Sequence, residues 1–430
     1  MQAITRLELP DLSARQVKTY RRASGLDLTT RGAGSGTGSG MRGAPPDTAR
    51  QQDKRDRRFL AHLWTNCVRL VLDKLGVLVN QPTPSSAAVT ADLLPRVWWI
   101  GTGLASALPF HAAGIHSNEA AHVGENAFAY VISSYTPSIK ALGFARERAV
   151  ATIPKPIEQR GLSPAAGDVL VSEQENKLMG LQTEHDKHQS LLLVTMPETP
   201  GMWNLSGVDQ EQTKITDALR LAASKAVGTE ATASSTTILK SQPQVMRQPS
   251  AKAVLHALRS HSIVHFACHG ASDLLDPSKS FLALQPHPFS GSTKSSTSTQ
   301  SSPNRPRQPD KLTVHEIAES RLRRSWLAYL SACSTAENQV AELADEALHL
   351  ASGFQVAGYA HTIAAMWPSN DAICAEVAGA FYAELLANWD PDRSSRLNSP
   401  ARALQAAVGG IRARNIDRPS LWAQYIHMGA

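Results

Sequence analysis

Cysteine is scarce in this chain of 430 residues, which contains only Cys67, Cys268, Cys333 and Cys374. These four are far apart in the sequence and show no paired spacing, which argues against a disulfide framework. Such cysteine usage is typical of a reducing compartment, where a reactive thiol stays available. We therefore expect an intracellular protein, cytoplasmic in the first place, with the nucleus left open.

Long apolar runs are absent as well. No stretch reaches the roughly 18 consecutive apolar residues that a transmembrane helix requires, and the first residues lack the apolar core of a secretory signal. The apolar content of 42% and the charged content of 19% are those of a globular protein. The sequence therefore predicts no contact with a membrane.

Excess positive charge is absent from most of the chain, although the net charge is +6. Residues 1–58 contain 12 Lys and Arg against 6 Asp and Glu, so the other 372 residues balance to zero. Nucleic-acid binding would thus depend on the tail and not on the folded body. We do not expect nucleic acid as a partner.

Common catalytic signatures are also missing. The chain has no Gly-x-Ser-x-Gly nucleophile elbow, no Gly-x-x-x-x-Gly-Lys phosphate loop and no His-Glu-x-x-His pair. These absences argue against an α/β serine hydrolase, a P-loop nucleotide hydrolase and a zinc peptidase of that type. We expect neither a cofactor nor a metal ion.

Two mostly apolar runs, by contrast, stop at chemically reactive side chains. Residues 262–268 are followed by His269 and Gly270, and residues 327–332 lead into Cys333. Runs of this kind predict fully buried strands. Because ligands gather at the carboxyl ends of parallel strands, two such strands side by side would bring His269 close to Cys333.

The order of apolar segments predicts an α/β fold with a mostly parallel sheet flanked by helices. A polar stretch divides the folded region into one half at residues 56–188 and another at residues 189–430. Residues 1–55 are rich in Gly and basic side chains, which predicts a disordered tail. Residues 285–310 hold ten Ser or Thr and five Pro, which predicts a disordered insertion between core elements.

His269 and Cys333 together suggest nucleophilic catalysis by a thiol. A neighbouring imidazole activates a thiol and later donates a proton to the leaving amine. Gly270 has no side chain, so a substrate can approach its backbone, and the amides of Gly270 and Cys333 could stabilise an oxyanion. The alternative stays open, because buried cysteines are common in protein cores.

A zinc site formed by His265, Cys268, His269 and Cys333 is another interpretation of the same residues. Histidines four residues apart converge on a helix but not on a strand. We therefore interpret His265 as a core histidine with a satisfied ring, or as a residue that supports the site.

Three acidic residues have two interpretations each. Asp345, Glu346 and Asp371 fall at predicted helix starts, where a negative charge interacts favourably with the helix dipole or caps free amides. They could instead line a pocket for a basic side chain of a substrate.

Several short motifs occur in a fixed order along the chain. They are residues 96–103, 108–114, 133–138, 263–270, 277–284, 312–317, 330–336, 345–358 and 363–371. In this order they resemble the CHAT domain, a branch of the caspase-like and separase-like cysteine peptidases, over the whole of residues 56–430.

The resemblance implies a caspase-hemoglobinase fold, with His269 as general acid and base and Cys333 as nucleophile. It also implies that residues 56–188 form a degenerate, protease-like half that supports the other half. The predicted function is an intracellular cysteine endopeptidase that cleaves protein or peptide substrates. A non-catalytic scaffold or signalling module that acts through protein–protein interaction is the other class, and a regulatory protein partner fits either one.

Overall fold

The computed structural model describes most of the chain. The described residues are 6–9, 12–13, 15, 17, 46–78, 94–119, 122, 124–151, 190–227, 242–271, 273, 276–286, 308–322, 325–331, 350–367, 370–387 and 399–430. Cys333, Asp345 and Glu346 lie outside these ranges, as do most of the predicted tail and most of the predicted insertion. None of the described helices is both long enough and apolar enough to cross a membrane.

Two β-sheets organise the described part of the chain. Its strands are β1 (Arg96–Trp99), β2 (Ile132–Tyr135), β3 (Leu191–Thr195), β4 (Gln244–Arg247), β5 (Ile263–Ala267), β6 (His269–Ala271), β7 (Phe281–Leu284), β8 (Asp310–Thr313), β9 (Leu327–Leu330), β10 (His361–Ala365) and β11 (Tyr425–Gly429). The larger sheet has eight strands in the order β1-β2-β11-β10-β9-β5-β3-β4, and the smaller sheet has the order β6-β7-β8. The smaller sheet begins directly after β5, so it extends from the carboxyl end of a central strand.

Helices cover both faces of the larger sheet. They are α1 (Pro46–Leu63), α2 (Arg69–Lys74), α3 (Ile139–Ala151), α4 (Val208–Val227), α5 (Ala251–Leu258), α6 (Val314–Glu319), α7 (Leu350–Ala357), α8 (Asp371–Ala387) and α9 (Ser399–Arg414), with a π-helical turn between α1 and α2. Alternate strand residues belong to two separate cores, one that includes α5, α6 and α7 and one that includes α4, α8 and α9. Because both faces are buried, the central strands are mostly apolar, and the predicted α/β fold is confirmed.

The larger sheet is mostly parallel, with one antiparallel junction. Strands β3, β4, β5, β9 and β10 run parallel to one another. Strand β11 is antiparallel to β10 and parallel to β2, which in turn is parallel to β1. The C-terminal strand therefore lies between strands of the first half and strands of the second, and it makes them one continuous sheet.

The ordered chain starts earlier than the sequence predicts. Helix α1 begins at Pro46, inside the region of residues 1–55 that was predicted to be disordered. The backbone amide of Ser420 donates a hydrogen bond to Asp53 over 3.1 Å, and Val17 is only 5% exposed. Polar composition predicted disorder here, whereas contacts with residues distant in the sequence hold these segments in place.

Gly429 in β11 offers a direct test of the junction. Its φ is 113°, and a Cβ atom there would overlap the backbone carbonyl oxygen of Ala360. We expect Gly429→Ala to lower the free energy of unfolding by about 2 kcal/mol or more, since strain and a backbone clash add up. Urea denaturation measures this change.

The matched control is Gly143 in α3, around which a Cβ would meet nothing within 4 Å. We expect Gly143→Ala to be neutral or to raise the free energy of unfolding by up to about 1 kcal/mol, because alanine favours the helix. Equal destabilisation by both variants would contradict the proposed role of the close approach at Gly429.

Candidate active site

Strands β5 and β9 are neighbours at the centre of the larger sheet. They are parallel, and their register places Phe266 opposite Leu330. His269 follows Phe266 by three residues, and Cys333 follows Leu330 by three residues in the sequence. The predicted adjacency of the two strands is confirmed, while the pairing of His269 with Cys333 stays a prediction because Cys333 lies outside the described residues.

His269 is held by a backbone carbonyl. Its side chain is buried, and the ring atom Nε2 lies 2.8 Å from the carbonyl oxygen of Trp203. A carbonyl oxygen can only accept a hydrogen bond, so Nε2 must carry the hydrogen. In the neutral ring, Nδ1 is then the nitrogen with a lone pair, which is the form required of a general base.

The loop that supplies this carbonyl connects β3 to α4. The amide of Met196 donates to the carbonyl of Ala267 over 2.9 Å, and the amide of Leu205 donates to the carbonyl of Pro197 over 2.8 Å. The indole ring of Trp203 also contacts His269 edge to face, with ring centroids 4.9 Å apart. The loop is thus fixed both to the end of β5 and to His269.

Gly270 lies in β6, next to His269. Its pairing partner is Leu282 on β7, in an antiparallel ladder. This ladder holds the backbone of Gly270 on an ordered strand at the carboxyl end of β5. An oxyanion role for the Gly270 and Cys333 amides stays a prediction.

His265 is a paired core histidine, as interpreted from the sequence. Its Nε2 atom lies 3.1 Å from Oε1 of Glu211, and the two side chains are 1% and 4% exposed. Its ring stacks on Tyr329 with centroids 4.6 Å apart. Cys268, by contrast, packs into the core on the other face of the sheet. The described residues contain no cluster of three side chains able to hold a metal ion.

Two tyrosines complete the buried polar cluster beneath the strand ends. Burial raises the pKa of both Tyr329 and Tyr382 well above the ordinary value, and the charge of Glu211 adds to the rise. Both phenols therefore stay neutral. Glu211 could not be singled out from the sequence, because it belongs to no motif and its partner His265 is 54 residues away.

Asp371 is the first residue of α8. The capping side chain is that of the preceding residue, Asn370, whose oxygen accepts a hydrogen bond from the amide of Ala372 over 3.0 Å. Gly207, just before α4, lies against Asp371 so closely that a Cβ atom on it would come within 2.5 Å of the Asp371 Cβ. The amino ends of α4 and α8 therefore touch. A substrate-binding role for Asp371, Asp345 and Glu346 stays a prediction, and the last two lie outside the described residues.

The fold and the strand ends define an α/β protein with a mostly parallel central sheet and a buried histidine at the carboxyl end of a central strand. The profile of the CHAT domain matches residues 57–430. The chain belongs to the CHAT domain family, and the resemblance drawn from the sequence motifs is confirmed.

Two solved structures are similar to the chain at low identity. The complex of the pro- and mature domains of RgpB from Porphyromonas gingivalis is 11% identical over 87% of this chain and 68% of that one, with a TM-score of 0.42. The separase–securin complex from Saccharomyces cerevisiae is 9% identical over 97% of this chain and 28% of that one, with a TM-score of 0.44. No curated protein sequence matches the chain.

Proposed function

We propose that this chain is an intracellular cysteine endopeptidase in which His269 is the general acid and base and Cys333 is the nucleophile. The observation that carries the proposal is the position of His269. It lies at the end of β5 with Nε2 bound to the Trp203 carbonyl, beside the parallel strand β9 that leads to Cys333.

The proposed reaction begins when Nδ1 of His269 accepts the proton of the Cys333 thiol. The thiolate attacks the carbonyl carbon of the peptide bond, and the amides of Gly270 and Cys333 stabilise the resulting oxyanion. When the C–N bond breaks, His269 donates its proton to the leaving amine. Water, deprotonated by His269, then hydrolyses the thioester, which releases the carboxylate product and regenerates the thiol.

The hydrogen bond to Trp203 supports this assignment in two ways. It fixes the ring so that Nδ1 carries the lone pair, and it leaves a carbonyl oxygen beside Nε2–H when the ring becomes an imidazolium. A carbonyl dipole stabilises that positive charge. The proposed substrates are proteins or peptides, and a pocket lined by Asp345, Glu346 and Asp371 would suit a basic side chain of the substrate.

The test of the proposal is the Cys333→Ala variant. Under reducing conditions, we expect the unmodified chain to cleave members of a diverse peptide library and to be labelled by an electrophilic peptide probe. We expect Cys333→Ala to do neither, because the nucleophile is gone. Cleavage is measured by mass spectrometry and labelling by the mass of the intact chain.

Cys67 provides the control. Burial raises the pKa of its thiol to about 11, so it remains protonated and unreactive near neutral pH. Cys67→Ala should therefore keep both labelling and cleavage. Cleavage by Cys333→Ala at the level of the unmodified chain would refute the assignment of the nucleophile, and an unmodified chain that neither cleaves nor reacts would favour the non-catalytic scaffold.

A further inference from the structure

One large aromatic side chain stays at the surface beside the candidate base. Trp203 is 43% exposed, whereas Trp64, Trp99, Trp326 and Trp422 are all less than 10% exposed. A single exposed apolar residue is ordinary on a protein surface. Trp203 differs because its ring touches His269 and because its own carbonyl holds that histidine.

The position of the indole is fixed by the loop that carries it. The loop packs onto the end of β5 through Leu205 and Val208, which contact Ala267. Within the loop, the amide of Met202 donates to the carbonyl of Thr199 over 3.0 Å. An ordered loop with an exposed aromatic ring offers contact area at little cost in conformational entropy.

The indole ring is a close neighbour of His269, the residue that would act on a bound peptide. A general acid must come within about 3 Å of the atom that it protonates. The indole centroid is only 4.9 Å from that of the imidazole. The amine that leaves belongs to the residue on the carboxyl side of the cleaved bond, so the side chain of that residue is the one within reach of the indole.

We propose that Trp203 is a specificity-determining residue whose indole selects an apolar side chain in the substrate residue immediately after the cleaved bond. This inference rests on the proposed function. An exposed indole gains most from burying an aliphatic or aromatic side chain, since both surfaces leave water. A small or charged side chain at the same position gains little from it.

The experiment compares the unmodified chain with Trp203→Ala and Trp203→Phe on a peptide library in which every position varies. Mass spectrometry gives the residue that follows each cut. We expect the unmodified chain to favour Leu, Ile, Met and Phe there. Trp203→Ala should lower kcat/KM for those substrates about 10-fold more than it lowers kcat/KM for substrates with Gly or Ser there. For the substrates with an apolar residue after the cleaved bond, kcat/KM of Trp203→Phe should lie between that of the unmodified chain and that of Trp203→Ala.

A loss of kcat/KM that is mainly confined to substrates with an apolar residue after the cleaved bond distinguishes this role from a structural one. Both variants keep the backbone carbonyl that binds His269, so damage to the base would lower cleavage of all substrates alike. Leu221→Ala, at a 56% exposed apolar residue of α4, is the matched control and should leave the preference unchanged. A preference retained by Trp203→Ala, or a uniform loss across the library, would overturn the inference.

A binding arm separates this inference from the proposed function. Peptides that bind are selected from the same library on two proteins. One is the Cys333→Ala chain, and the other carries both Cys333→Ala and Trp203→Ala. If the unmodified chain cuts nothing but apolar peptides bind only when Trp203 is present, the peptidase proposal fails and the selection by Trp203 stands. If neither cleavage nor Trp203-dependent binding is found, both fail.

Discussion

Replacing His269 by alanine is expected to lower kcat/KM for peptide cleavage by roughly 10²- to 10⁴-fold, the range that a general acid–base residue contributes. The thiol of Cys333 would lose its proton acceptor, and the leaving amine would lose its proton donor. The measurement is steady-state cleavage of the best peptide from the library, with labelling by the electrophilic probe as a second readout of thiol reactivity.

A control histidine makes this result interpretable. His256 in α5 is exposed, and the proposed mechanism does not use it, so His256→Ala should keep the rate of the unmodified chain. Urea denaturation of His269→Ala shows whether the fold survives the loss of the bond to Trp203. A folded His269→Ala chain that cleaves at more than half of the normal rate would exclude His269 as the base.

The strands that carry the site were predictable because they are buried on both faces. Residues of β5 and β9 are mostly apolar, which indicates a central parallel strand even without a structure. The ends of such strands are where ligands bind, so His269 and Gly270 could be selected from the sequence. The start of α8 near Asp371 was predictable for a similarly local reason, although the capping side chain is that of the neighbouring Asn370.

Contacts between distant residues were not predictable. The carbonyl of Trp203 is hydrogen-bonded to His269, which is 66 residues away in the sequence. Every residue has a backbone carbonyl, so the sequence does not show which one binds the histidine. Glu211 pairs with His265 across 54 positions in the same way. The insertion of β11 between β10 and β2 is a further case, because periodicity identifies a buried segment but not its neighbours in a sheet.

The free energy of unfolding is expected to fall as the pH is lowered, starting at pH values well above those at which exposed carboxylates titrate. Burial lowers the pKa of His111 to about 4 and that of His116 to about 3, and it lowers the pKa values of His361 and His427 well below the ordinary value. Each ring is neutral in the folded chain, and two of them bond to each other, with Nδ1 of His361 3.0 Å from Nε2 of His427.

The sign follows from proton uptake by the unfolded chain. Below about pH 6.5 the histidines of the unfolded chain bind protons, whereas those of the folded chain do not. The free energy of unfolding therefore falls as the pH decreases. For His111 the loss reaches about 3 kcal/mol by pH 4. Asp53 and Asp56 act in the opposite direction, because burial raises the pKa of both, that of Asp56 to about 7, and the folded carboxyls take up protons first. The four histidines outnumber these two carboxyls, and we expect a net loss of stability.

The measurement is urea denaturation at several values between pH 4.5 and pH 8. His111 bonds to the hydroxyl of Tyr135 and to the carbonyl of Ala423, so His111→Gln should be less stable than the unmodified chain at pH 8. Its free energy of unfolding should nevertheless depend less steeply on pH, by up to about 1.4 kcal/mol per pH unit, the contribution of one proton. If the free energy of unfolding of His111→Gln depends on pH as steeply as that of the unmodified chain, His111 takes up its proton at the same pH in the folded and the unfolded chain, and this prediction is wrong.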